Sequence, residues 1–309
     1  FKVLITDELL QEPVETINLL LRNATGAAVG LTGSSVISIT SNDALSRLSP
    51  VKDGSFSSDF FVRQHYADFV NREADASGLA FWKNEIDSCT TQACFEAKRI
   101  NVSAAFFLSI EFQQTGYFIY LLHQAAFATG ERLPLRTFLA EAQNIGDGVV
   151  VGATGWQQQL DLNKQAVVNE FVQTPEFLNA YPFTLSAAQF VDLLNANTKD
   201  PQAPASGALT LDERNQLVSD LSTGRKSRAQ VLRIIAENSL FARRHSNKAF
   251  VLMQYFGYLR RNPNDLPDHD FSGYNFWLTK LNQFSGDFVQ AEMVKAFITS
   301  TEYQLRFGL

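Results

Sequence analysis

Few residues in this 309-residue chain combine the types and spacing that chemistry needs. Cys89 and Cys94 stand in Ser-Cys-Thr-Thr-Gln-Ala-Cys. A lone C-x4-C pair lacks the companions of a four-ligand zinc site. It predicts a local disulfide in an oxidising compartment and two ordinary thiols in a reducing one. Asp268-x-Asp270-x-Ser272-Gly273 matches the opening of a calcium loop, in which alternate oxygens converge on the ion. The twelfth position holds Thr279 where a bidentate glutamate is needed, so a solvated acidic turn capping a helix is the preferred reading. His65, His123, His245 and His269 are isolated, with no H-E-x-x-H and no recognisable nucleophile and base. No phosphate loop or dinucleotide fingerprint follows a strand. Paired carboxylates far apart in the chain cannot be recognised, so a carbohydrate-active enzyme is disfavoured rather than excluded. From Gly224 to Arg261 nine Lys/Arg accompany one acid, Glu237. That run suits either a basic surface for an anionic partner or solvated helix faces, and no nucleic-acid motif goes with it. The expectation is a protein that is not an enzyme, with no required cofactor and calcium as the one ion its acidic spacings admit.

The elements that would position these groups fall into two unlike parts. The chain is 45% hydrophobic and 19% charged, with net charge −6, and its 26 Phe, 8 Tyr and 3 Trp need a packed interior. No apolar run approaches the 18 residues of a membrane helix. The sequence opens at Phe1 without an initiator Met or a signal-peptide pattern, which reads as a fragment or processed piece. Over residues 1–43 apolar residues alternate: Val3 and Ile5, then Ile17, Leu19 and Leu21, then Ile37 and Ile39. Period two with turn residues between the runs predicts half-buried antiparallel strands. Residues 44–56, with Ser, Pro and Gly and no periodicity, read as a linker.

The order strand, Asp7, Glu12-Pro-Val-Glu-Thr-Ile17, strand, Asn23-Ala-Thr-Gly26, strand, Ile37-Ser-Ile39-Thr-Ser-Asn-Asp43 resembles the C-terminal half of a Calx-beta domain. The resemblance implies a truncated immunoglobulin-like β-sandwich tail. It also implies a part in calcium binding for Asp7, Glu12 and Asp43, although the missing half would supply further ligands.

From residue 57 onward the pattern turns helical and repeats, a signal that precedes any choice of fold. Phe61, Tyr66, Phe69, Arg72 and Asp75 are echoed by Phe250, Tyr255, Tyr258, Arg261 and Asn264. Both stretches continue to Ser-Gly-x-x-Phe-Trp, ending at Trp82 and Trp277, and close on Ser109-Ile-Glu111-Phe112 and Ser300-Thr-Glu302-Tyr303. Trp156 with Thr174-Pro-Glu176-Phe177 marks a degenerate copy, and Phe190 to Phe241 a fainter one. The expected organisation is a mainly helical array of about four units: 57–116, 117–183, 184–245 and 246–309. Ser77 and Ser272 are placed to cap helices, and Gly78 and Gly273 to permit a chain reversal before them. The tryptophans read as core facing the preceding helix, each contributing about 3 kcal/mol on burial.

These units resemble an all-helical bacterial domain family of unknown function, distantly similar to phycobilisome linker domains. The carrying residues are Tyr66, Arg72, Asp75, Gly78, Trp82 and Glu111 in the first copy, and Tyr255, Arg261, Gly273, Trp277 and Glu302 in the last. The resemblance implies a structural or interaction module of a large secreted or cell-surface bacterial protein. Its partner would be a protein or glycan, with calcium-dependent adhesion as an alternative, and the family offers no catalytic residues to carry over.

Overall fold

Thr16 and Ser38 are exposed and face each other across a strand pair, while the neighbouring Ile17 and Ile37 are half-buried partners. Glu15–Leu20 (β1) and Ser34–Ile39 (β2) thus form the antiparallel pair that their alternation predicts. The computed structural model describes residues 15–20, 34–39, 57–70, 72–199 and 207–306. The expected strand at Val3 and Ile5, the carboxylates Asp7, Glu12 and Asp43, and the linker 44–56 lie outside these.

The remainder is helical. Ser58–His65 (α1) runs into a widened π-turn, Tyr66–Val70; Ala76–Asp87 (α2), Gln92–Leu108 (α3) and Ile110–Gln114 (α4) follow. Then come Gly116–Phe127 (α5), Leu135–Gly146 (α6), Trp156–Phe171 (α7) and Pro175–Ala180 (α8). Ala187–Ala196 (α9), Leu211–Ser222 (α10) and Arg228–Ala236 (α11) lead to Ser239–Gln254 (α12), which ends in a second π-turn, Tyr255–Leu259. Ser272–Gln283 (α13), Met293–Ile298 (α14) and Thr301–Leu305 (α15) complete the series.

One local device recurs at intervals of 65, 64 and 62 residues. Ser109, Thr174, Asn238 and Ser300 each accept a hydrogen bond from the backbone N–H three residues on, at 3.1–3.3 Å. Each of those donors belongs to a fully buried aromatic: Phe112, Phe177, Phe241 and Tyr303. The cap fixes where the helix starts, and that start aims the ring into the core.

Helix α5 is apolar all round and buried over nearly its whole length, as a helix without a polar face requires. It packs against α4, α6, α9, α11 and α12. A linear array would have each unit touching only its neighbours in the chain. Instead the C-terminal helices fold back onto the first ones. Helix α3 lies on α14, and the two π-turns lie on each other, with the Phe69 and Tyr258 rings edge to face at 5.0 Å. Close approach there requires Gly257, because a side chain at that position would overlap the Phe69 ring. Asp68, nearly buried, receives two bonds from Arg306 at 2.8 and 3.0 Å, and Arg306 also donates to the carbonyls of Gly257 and Tyr258.

Candidate functional site

The repeated polar residues build the same clamp twice. In the first, the π-turn lets the Arg72 N–H reach the Tyr66 carbonyl at 3.4 Å, which lays the guanidinium over the Tyr66 ring at 4.8 Å. From there Arg72 makes two bonds to Glu111 of α4, at 2.5 and 2.6 Å, and longer ones to Asp75 at 3.4 Å. In the second, Arg261 lies over Tyr255 at 5.1 Å and binds both oxygens of Glu302 in α15. A two-point arginine–carboxylate pair is directional as well as strong, so each clamp sets the angle between the first and last helices of its unit.

Three expectations change at the clamps. Asp75, not Ser77, caps α2: it accepts from the Gly78 N–H at 2.8 Å, and Ser77 donates to it from inside the first turn. Those two bonds hold its carboxyl below the usual range. Ser272 likewise lies inside α13, and Asp270 accepts its N–H at 2.7 Å. Gly78 and Gly273 are in the first turns of helices, where no reversal occurs. They are small because the hydroxyls of Tyr66 and Tyr255 press on them, and a side chain at either would collide with that oxygen. Finally, Arg261 takes its second carboxylate from Asp268 at 2.6 Å rather than from the position of Asn264. Asn264 and Ser272 are 8 positions apart where Asp75 and Ser77 are 2 apart, and this insertion divides Asp75's two tasks between Asp268, which holds the arginine, and Asp270, which accepts the Ser272 N–H at the helix start.

The tryptophans have unequal surroundings. Trp82 and Trp277 are half-buried and meet the rings of Phe106 of α3 and Phe297 of α14 at a tilt, at 5.9 and 5.6 Å, contacts with following rather than preceding helices. Trp156 opens α7, also packs half-buried against the core, and lines a surface crevice. Cys89 and Cys94 are joined in a disulfide with Cα atoms 5.5 Å apart, tying the end of α2 to the first turn of α3. Among the described residues no group of three His, Cys, Asp or Glu is gathered as a metal site needs, and Asp268 is committed to Arg261.

The basic run from Gly224 to Arg261 is largely partnered by groups outside the run. Arg225 and Lys226 pair with Asp220, Arg233 with Asp161, and Arg261 with Glu302. Arg228 donates to the carbonyls of Tyr181 and Pro182.

Two arrangements were not foreseen. Tyr258 donates to Ser103, Ser103 donates to His65 Nε2 at 2.6 Å, and His65 Nδ1 donates to the Phe61 carbonyl at 2.7 Å. A serine beside a histidine base is the geometry of a nucleophile. Here all three side chains are sealed in the core where the first helices meet the last, and burial pulls the histidine pKa down to about 4.

The second arrangement is the crevice of about 300 Å³ between α4, α7 and the end of α11. Lys164 forms its floor, 5% exposed, with its ammonium bonded to Gln114 at 2.7 Å and Glu237 at 3.0 Å and seated over the Phe118 ring at 4.6 Å. Burial lowers its pKa, against the opposing pull of Glu237. Trp156 and Leu160 form the apolar wall, and Ile110, 58% exposed, stands at the rim. Arg233 binds Asp161 on the far side. These residues come from positions 110 to 237, so no local motif marks them; a lysine on the inner face of an otherwise ordinary amphipathic helix was the only available signal.

The chain was compared with protein-family models, curated proteins and solved structures. None matches. No helix among the described residues is long and apolar enough to cross a membrane.

Proposed function

We propose that this chain is a non-enzymatic interaction module of a secreted or cell-surface bacterial protein. It consists of four related helical units closed on one another and preceded by part of a β-sandwich of Calx-beta type. One observation carries it: the ionisable residues that recur, Arg72 with Glu111 and Arg261 with Glu302, are spent on holding helices rather than turned toward a substrate. The four evenly spaced caps support the unit count, and the disulfide supports an oxidising compartment. Recognition of a protein or glycan then falls to the surface, where the Trp156 crevice combines an aromatic wall with a few convergent polar groups.

The test is co-sedimentation of the purified chain with bacterial envelope fragments, run beside turnover assays on glycoside and peptide substrates. Saturable binding without product release is the expected result. Product release that survives further purification would overturn the proposal.

A further inference from the structure

We infer that the Trp156 crevice is a binding site for one neutral sugar unit of a glycan, an inference that rests on the interaction-module reading above. Size limits the ligand first. At about 300 Å³ the crevice lies at the lower end of small-molecule sites, room for a single ring rather than a folded peptide loop.

Charge limits it next. Four ionisable groups line the crevice: Lys164 and Arg233 are positive, Asp161 and Glu237 negative. They are paired across it, Lys164 with Glu237 and Arg233 with both Asp161 and Glu237. An anion or cation would therefore meet no surplus of opposite charge and would displace an existing partner. A neutral ligand avoids that cost.

The remaining chemistry matches hydroxyl groups. Gln114 and Gln157 carry amides that both donate and accept, and each carboxylate has acceptor sites beyond those used by its cation. A hydroxyl also donates and accepts, so a polyol can use this mixed lining. Trp156 supplies the flat apolar face against which the C–H side of a sugar ring packs, and Ile110 extends that face at the rim. Lys164 has a positioning role, since its buried ammonium fixes Gln114 and Glu237.

Titration calorimetry of the full chain with a panel of neutral oligosaccharides tests this, with the sugar-induced change in tryptophan fluorescence that is lost in Trp156→Phe as a second readout. Binding is expected for at least one neutral sugar. It should weaken about tenfold or more in Trp156→Ala, as for an aromatic anchor, and stay within about threefold in Trp156→Phe, which keeps a ring. Gln157→Ala, at an exposed position, gives a variant that leaves the fold intact and should also weaken binding. Phe183→Ala, outside the crevice, should not. No binding at millimolar sugar, or binding indifferent to both Trp156→Ala and Gln157→Ala, would overturn the inference. A peptide that competes at the crevice where sugars do not would also overturn it, yet leave the interaction-module reading standing. Release of a shortened sugar would instead overturn that reading.

Discussion

Arg72 grips Glu111 across 39 intervening steps of chain through two N–H···O bonds, at 2.5 and 2.6 Å, while its guanidinium rests on the Tyr66 ring. Both side chains are mostly shielded, at 23% and 13% exposure, so the pair is not screened as a surface ion pair would be. Replacing Arg72 by Lys keeps the charge but loses the fork, and should cost about 2 kcal/mol in urea denaturation. A double-mutant cycle on Arg72→Ala and Glu111→Ala should return a coupling of about 1–2 kcal/mol. A coupling near zero would show that the clamp does not set helix geometry.

Gly78 faces the Tyr66 hydroxyl with no room for a methyl group. Gly78→Ala should destabilise by about 1–3 kcal/mol, the range for overpacking a well-filled interior. Tyr66→Phe added to that variant removes the colliding oxygen and should recover part of the loss. If the second substitution only adds to the first, the collision is not the cause. Gly273 and Tyr255 repeat the arrangement and should respond alike.

Acid should weaken the fold through His65. The Phe61 carbonyl can only accept, so Nδ1 carries the proton and Nε2 is left to accept from Ser103. A second proton would set two donors against each other. With a folded pKa of about 4 and an unfolded value near 6.5, the unfolded chain binds more protons between those values. Stability is therefore full above pH 6.5, falls as the pH drops toward 4, and levels off below, with a total loss of about 3 kcal/mol from this group. His65→Gln should flatten that part of the pH profile. An unchanged slope between pH 6.5 and 4 would assign the acid sensitivity elsewhere.

Reduction should matter modestly. The Cys89–Cys94 bridge closes a loop with a sequence separation of 5, for which the chain-entropy model gives about 2 kcal/mol. Thiol titration should find no reactive Cys89 or Cys94 before reductant and both after it. Serine at both positions should lower the urea midpoint by a matching amount. Two reactive thiols in protein prepared under oxidising conditions would contradict the bridge.

The sequence disclosed the parts of the clamp more fully than their division of labour. Tyr66, Arg72, Gly78 and Glu111 stand out by recurrence, because an ion pair tied to a helix start needs fixed spacing. That Asp75 caps in place of Ser77 was less legible, since either oxygen can reach a free amide. That Asp268 takes the place of Asn264 was hidden because the longer spacing from Asn264 to Ser272 shifts the register by residues that read as a loop. Closure of the C-terminal helices onto the first ones left no local trace: Phe69, Asp68, Gly257 and Arg306 carry it, and each reads alone as an ordinary core or surface residue. The crevice was illegible for a similar reason. Its floor is Lys164, whose burial depends on Phe118 and Glu237 from other helices.

The contact of the two π-turns also fixes how the molecule answers a mechanical load. Tension applied at residues 57 and 306 would not pass through the intervening helices in series, because Asp68 and Arg306 already link the two ends of the path. The load would fall first on that link and on the Phe69–Tyr258 contact beside it. Until it gave way, the protein would stretch little; afterwards the interior helices would bear the pull.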